Sequence, residues 1–372
     1  MSGKRIIISG GGTGGHIFPA VSIANALREL EPDAHILFVG ALGRMEMERV
    51  PQAGYEIIGL PVRGLIRPLW SPRNVSVAVD YLKSQRMAKA AIRKFRPQVA
   101  VGVGGYASAA TLKAAHSMGI PTLIQEQNSY AGVTNKMLSK DADKICVAYD
   151  GMERFFPAEK IIKSGNPVRQ GIANLVLSSK AKEEAVAKLG LVRGKRTIIF
   201  IGGSLGARTV NESVLAHLDK VSEADDVQFL LQTGAYHSKD IASRLQAEGK
   251  PSNLIVTDFI TDMAAAYQAA DLIVSRAGAS SISEFCAVGK AVILVPSPNV
   301  AEDHQTKNAL ALVNRDAALY VKDADAVNML LNKAIETVCD ASLLARLENN
   351  IKKMALPDAA RVIAKEVIRL IK

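Results

Sequence analysis

Short runs of β-branched and aliphatic residues alternate with stretches of helical period along the whole chain, and that alternation confines it to an α/β architecture of βαβ units on parallel sheets. Candidate strands in the first half are residues 5–9, 35–39, 56–60, 99–103, 122–125 and 144–148. In the second half they are residues 197–201, 228–232, 254–257, 272–275, 291–295 and 318–321. Each set predicts its own doubly wound sheet. At 372 residues the chain is also longer than one core usually supports, so two domains are expected. The break falls at Ser164-Gly165-Asn166-Pro167, where Gly and Pro interrupt the pattern.

The halves share their punctuation. A glycine-rich turn follows the first strand of each: Gly10-Gly11-Gly12-Thr13-Gly14-Gly15 and Gly202-Gly203-Ser204-Leu205-Gly206. A second pair of small-residue loops follows the fourth strand of each, around Gly104-Gly105 and at Arg276-Ala277-Gly278. Glycine lets phosphate or sugar oxygens approach the N–H groups of a helix N-terminus, so four such turns point to a bound diphosphate. A tight turn needs glycine for its own sake, which is the alternative for any one of them. Gly10, Gly12 and Gly15 match the dinucleotide fingerprint, with a following helix expected from Pro19. The second strand, however, ends Phe38-Val39-Gly40-Ala41 without the acid that would hold a nicotinamide cofactor's ribose. No Gly-x-x-x-x-Gly-Lys-Ser/Thr occurs, which excludes a P-loop. Asp141-Ala142-Asp143 and Asp323-Ala324-Asp325 are weak metal candidates: the first precedes its strand, and the second reads as helix N-capping. No metal or cofactor is expected.

Composition narrows the setting. Cys146, Cys286 and Cys339 are odd in number and far apart, as free thiols in a reducing compartment would be. No run reaches the ~18 apolar residues of a membrane-spanning helix, and the first strand begins too early to leave room for a signal peptide. The net charge of +10 is concentrated: between Pro61 and Arg96 lie nine basic residues and the single acid Asp80.

In its ordered motifs, Gly10 to Ala20, Gly104 to Ser108, Gln125-Glu126-Gln127-Asn128, Ser164 to Arg169, Gly202 to Ala207, Ser275 to Glu284 and Asp303 to Ala309, the chain resembles the MurG family, the UDP-N-acetylglucosamine:lipid I transferases of peptidoglycan synthesis. The resemblance implies two Rossmann-like domains facing a cleft, the GT-B arrangement. Residues 1–165, joined by a returning C-terminal helix at 358–372 that starts from Asp358, would meet the acceptor and the membrane; residues 166–357 would bind the UDP-sugar. It implies donor contacts at Thr13, Gly14 and Gly15, at Asn128 toward the sugar, and at Arg169 toward the nucleotide. Ser204 would cradle the diphosphate, Ile260 would offer backbone groups to uracil, Glu284 would take the ribose hydroxyls, and Gln305 would discriminate the sugar. His304 stands where some relatives carry glutamine. The implied reaction is inverting displacement at the anomeric carbon by the C4 hydroxyl of undecaprenyl-diphosphate-linked muramyl-pentapeptide. His16 is the first candidate for its general base, with an ordinary imidazole pKa of ~6.5 suited to neutral pH; Glu126, beyond a strand end, is the second.

The implied location is peripheral, on the cytoplasmic side of the cell membrane. Residues 62–73, where Arg residues interleave with Leu65, Ile66, Leu69 and Trp70, are the candidate anchor to anionic lipid. For the later part of the helix that follows, Ala78 to Arg96, packing of its apolar side on the sheet is the expectation. Three other readings compete: a UDP-sugar transferase acting on another lipid, a UDP-sugar epimerase, and a nucleic-acid binder. The last leaves the glycine loops unexplained and lacks stacking aromatics.

Overall fold

The computed structural model describes residues 3–64, 70–72, 74–203, 205–300 and 303–371. The chain divides into two units, Met1–Arg169 with Leu356–Lys372, and Gln170–Ala355. The first contains β1 (Arg5–Ser9), α1 (Gly14–Leu30), β2 (His35–Ala41), α2 (Glu46–Gln52), β3 (Glu56–Leu60), α3 (Asn74–Phe95), β4 (Val99–Gly102), α4 (Tyr106–His116), β5 (Thr122–Glu126), α5 (Val133–Leu138), β6 (Lys144–Val147) and β7 (Ile161–Lys163). The second runs through α6 (Gln170–Ala173), α7 (Ser179–Lys188), β8 (Arg196–Ile201), α8 (Arg208–Leu215), α9 (Leu218–Glu223), β9 (Val227–Gln232), α10 (Ser238–Glu248), β10 (Leu254–Thr257), α11 (Met263–Ala269), β11 (Leu272–Ser275), α12 (Ala279–Val288), β12 (Val292–Leu294), α13 (His304–Val313), β13 (Leu319–Tyr320), α14 (Asp323–Cys339) and α15 (Ala341–Lys352). The chain then returns to the first unit as α16 (Ala359–Arg369).

Both sheets are parallel and doubly wound. The orders are β3-β2-β1-β4-β5-β6-β7 and β10-β9-β8-β11-β12-β13, so each reverses between its first and fourth strands. Strands covered on both faces carry unbroken apolar runs. In β1, Ile6, Ile7 and Ile8 are all fully buried. Side chains alternate across a strand: Ile7 joins the core with Ala88, Ile92 and Ala110, while Ile6 and Ile8 join Ile23, Leu27, Ile363, Ala364 and Val367 on the other side. α16 thus seals the α1 face of the first sheet.

Two expectations need correction. α1 begins at Gly14, not Pro19, because the Thr13 carbonyl accepts from the N–H of His16 at 3.1 Å and of Ile17 at 3.2 Å and so starts the first turn on the glycines. Pro19 then lies inside the helix, removing one bond without ending it. In α14 the N-cap is Lys322, and Asp323 and Asp325 occupy the first turn, where carboxylates favour the helix dipole. Asp358 does sit at the N-cap of α16, though its side chain makes no capping bond.

Candidate active site

At the point where a doubly wound sheet reverses order, loops diverge beyond the carboxyl ends of two neighbouring strands and leave a crevice. In the second unit that crevice is a cavity of about 550 Å³ beyond β8, β11 and β12. It is lined by the turn after β8 (Gly202, Gly203, Leu205, Gly206), by Ser275, Arg276, Gly278 and Ser281 after β11, by Ser297, Pro298 and Asn299, and by Gln305 and Asp323. The turn is glycine by necessity. Gly203 and Gly206 have φ of +83° and +86°, and a Cβ at Gly202 would lie 2.6 Å from the Ala207 nitrogen. Gln232, at the end of β9, holds the turn: its Oε1 accepts from Gly203 N at 3.1 Å, and its Nε2 donates to the carbonyls of Gly203 (2.9 Å) and Asp258 (3.0 Å). The N-termini of α8 and α12 open on this cavity and supply oriented N–H groups for an anion.

Arg276 adds a positive charge there. Its guanidinium donates to Val295 O at 3.0 Å and forms an ion pair with Asp323, which also accepts from Thr209 Oγ1 at 3.1 Å. Asp323 therefore orients a cation at the wall of the cavity. In Asp141-Ala142-Asp143, Lys113 bonds Asp141 and holds its carboxyl below the ordinary aspartate value, while Asp143 accepts from Thr122 N at 2.7 Å. Gln305 lines the cavity and accepts from Ser297 N at 2.9 Å. Glu284 lies on α12, one turn past Ser281, buried, with Oε2 accepting from the buried Tyr267 hydroxyl at 2.7 Å. Ile260 is buried beyond β10, and its neighbour Phe259 is exposed. Ser204 lies outside the described residues.

The first unit has its own crevice between β1 and β4. His16, in the first turn of α1, sets Nδ1 3.1 Å from Gly11 O and 3.3 Å from Thr13 Oγ1, with the ring's other edge over Gly104. Thr13 and Gly15 are exposed and Gly14 is partly so. Glu126, at the end of β5, is 1% exposed. Its Oε1 accepts from Asn128 N (3.0 Å) and Nδ2 (3.2 Å), and its Oε2 accepts from Gly132 N (3.0 Å) and Asn135 Nδ2 (2.9 Å). Both oxygens are engaged in shaping the loop that presents Asn128. Behind it, Asn166 Nδ2 donates to Gln127 O at 2.9 Å and Gln125 Nε2 donates to Asn166 Oδ1 at 2.9 Å, tying the Ser164-Gly165-Asn166-Pro167 segment to the same loop. Arg169 is exposed at the end of this unit.

Arg276, Asp323, Gln232 and Glu46 were not legible as site residues from the sequence. Arg276 stood in a motif read only for its small residues, Asp323 stood in one weighed only for metal binding and helix capping, and nothing local marked Gln232 or Glu46.

Both units match domains of one enzyme class. The glycosyltransferase family 28 N-terminal domain matches residues 6–147, and the family 28 C-terminal domain matches residues 197–364. The chain is a glycosyltransferase. It is 64% identical over 98% of its length to the UDP-N-acetylglucosamine--N-acetylmuramyl-(pentapeptide) pyrophosphoryl-undecaprenol N-acetylglucosamine transferase of Bacteroides fragilis, covering 95% of that protein. It superposes on Acinetobacter baumannii MurG with a TM-score of 0.78 at 27% identity, over 98% of this chain and 99% of that one. The chain belongs to this family of N-acetylglucosamine transferases, the MurG family. A UDP-GlcNAc 2-epimerase from Neisseria meningitidis has the same fold (TM-score 0.67, 98% of this chain and 100% of that one), but at 14% identity the likeness ends with the fold.

Proposed function

We propose that this chain moves N-acetylglucosamine from UDP-N-acetylglucosamine to the C4 hydroxyl of lipid-linked N-acetylmuramyl-pentapeptide, with inversion. The observation that carries the reading is the 550 Å³ cavity at the β8/β11 reversal, with two helix N-termini and Arg276 around it, in a chain 64% identical to a transferase of that name. As the new bond forms between the C4 oxygen and the anomeric carbon, the bond to the diphosphate breaks and its electron pair leaves with UDP. The growing negative charge meets the N–H groups after Gly202 and Gly278 and the Arg276 guanidinium, which are in place before reaction. Glu284 takes the ribose hydroxyls and Gln305 the sugar, with Ile260, Arg169, Thr13, Gly14, Gly15, Ser204 and Asn128 completing the donor contacts.

His16 is the base in this proposal. Glu126, its four donors already in place, is instead the residue that builds the Asn128 loop. No observation favours the epimerase reading.

The acceptor is held at a membrane. No helix among the described residues is long and apolar enough to cross one. Half of the segment 62–73, residues 65–69 and 73, lies outside the described residues, and Trp70 is 85% exposed. α3 packs an apolar side inward, with Val77, Ala88 and Ile92 buried, but Val75, Val79 and Leu82 form a second, exposed apolar line one turn apart, beside exposed Lys83 and Arg86. This outer face, with Trp70, is the proposed contact with anionic lipid on the cytoplasmic side.

The test is UDP release with a lipid-linked muramyl-pentapeptide acceptor, alongside a diacylglycerol acceptor, with and without chelator. Release with the muramyl acceptor only, undiminished by chelator, is expected; turnover of diacylglycerol, or activity restored only by a divalent metal, overturns the assignment.

A further inference from the structure

We infer that Glu46 is a positioning residue for His16, acting on the imidazole through the Gly11–Gly12 peptide group. This rests on His16 being the base. Glu46 sits at the start of α2 and is 0% exposed. Its Oε2 accepts from Gly12 N at 3.0 Å and its Oε1 from Ala41 N at 3.0 Å, so the carboxylate is pinned between the glycine turn and the end of β2. Two glycines make room for it. A Cβ at Gly11 would overlap Glu46 Oε1, and one at Gly40 would lie 2.6 Å from its Cγ.

Gly12 N and Gly11 O belong to one peptide group, and they point in opposite directions across it. The N–H faces Glu46 at 3.0 Å and the carbonyl faces His16 Nδ1 at 3.1 Å. A carbonyl has only lone pairs to offer, so that contact places the ring proton on Nδ1 and the lone pair on Nε2. Thr13 Oγ1, at 3.3 Å, accepts as a weaker second partner. A carboxylate drawing on the N–H pushes electron density toward the carbonyl oxygen of the same unit, strengthening its hold on Nδ1–H, as coupled hydrogen bonds do. The imidazolium formed when Nε2 takes the acceptor's hydroxyl proton is stabilised in turn. The arrangement does for this histidine what a directly bonded carboxylate does in a hydrolase triad, with one peptide interposed. Of the elements packed on the turn, α2 contributes Glu46, and the β4–α4 loop brings Gly104 against the ring's Nε2 edge.

Within the first glycine turn, the Gly12 N–H therefore already faces an anion, supplied by the chain itself.

Glu46→Gln keeps the size and removes the charge. NMR titration of the His16 ring nitrogens should show its midpoint lowered by about one pH unit, because a stabilising negative charge has gone. The acid limb of kcat/KM should move down with it. Turnover should fall about 10- to 100-fold, the usual cost of losing an orienting partner, with the KM for donor unchanged. In a His16→Ala background the same change should cost less than about threefold, since partners acting as one unit are not additive. Glu46→Asp, which keeps the charge but withdraws it, should return the acid limb while leaving turnover low. An unmoved ring titration in Glu46→Gln, or an equal loss in the His16→Ala background, overturns the inference. Near-normal turnover of His16→Ala alone would overturn the base assignment beneath it.

Discussion

Glu126→Gln separates a scaffold from a base, because the two roles predict opposite combinations of stability and rate. The glutamine is isosteric but has one accepting oxygen where the carboxylate has two. Whichever way its amide turns, an NH₂ faces either Asn128 N and Nδ2 or Gly132 N and Asn135 Nδ2. The Asn135 amide keeps its second bond to Gln125 O at 3.1 Å, and partly exposed Asn128 Nδ2 can turn to water. One backbone N–H, of residue 128 or 132, is left without its acceptor, at about 1–3 kcal/mol. In a unit of this size that is roughly 2–12 °C of melting temperature. Glu126→Ala strands both N–H groups and should cost about twice as much. With its loop loosened, the contact proposed between Asn128 and the sugar is lost, so affinity for UDP-N-acetylglucosamine should drop while affinity for UDP holds. The assays are calorimetric melting and titration with the two nucleotides. A Glu126→Gln protein that melts as wild type does, binds both nucleotides normally and turns over about 10³-fold more slowly would refute the scaffold reading and make Glu126 the base.

Glu284→Ala should weaken UDP binding about 10- to 100-fold through lost ribose hydrogen bonds. Tyr267→Phe, which removes only the 2.7 Å bond that orients the carboxylate, should weaken it less; equal affinity in Glu284→Ala and wild type would take Glu284 out of the donor site. Changing Val75, Val79 and Leu82 together to Ser should reduce flotation with anionic vesicles at low and high salt, with activity toward a short-chain soluble acceptor retained. Unchanged flotation would move the membrane contact off α3.

The strands were legible because a parallel sheet covered on both faces demands unbroken apolar runs, which few other structures produce. All twelve candidate strands exist, including the buried Ile6-Ile7-Ile8 run. β7 was missed: three residues ending in Lys163, paired only with β6, carry too little pattern to stand out. Gly14 was illegible as a helix start because glycine's intrinsic preference opposes it, and only the Thr13 carbonyl, a tertiary fact, reverses the balance. Glu46 shows the limit more sharply. Within Arg44-Met45-Glu46-Met47-Glu48-Arg49 it looks like any solvated acid, and Glu48 is one; burial of one and not the other depends on where the β2 end and the glycine turn meet.

The return of α16 has a consequence for how the chain is made. Ile363, Ala364 and Val367 complete the core around Ile6, Ile8 and Ile23, yet they are synthesised only after the whole of Gln170–Ala355. At ~5–20 residues per second the second unit takes roughly 10–40 s to be made, and during that time the α1 face of the first sheet lacks α16. The second unit is continuous, whereas the first cannot complete its core until the last residues of the chain are made. The unit encoded first waits, until the last residues are added, with the apolar surface that α16 will cover left open.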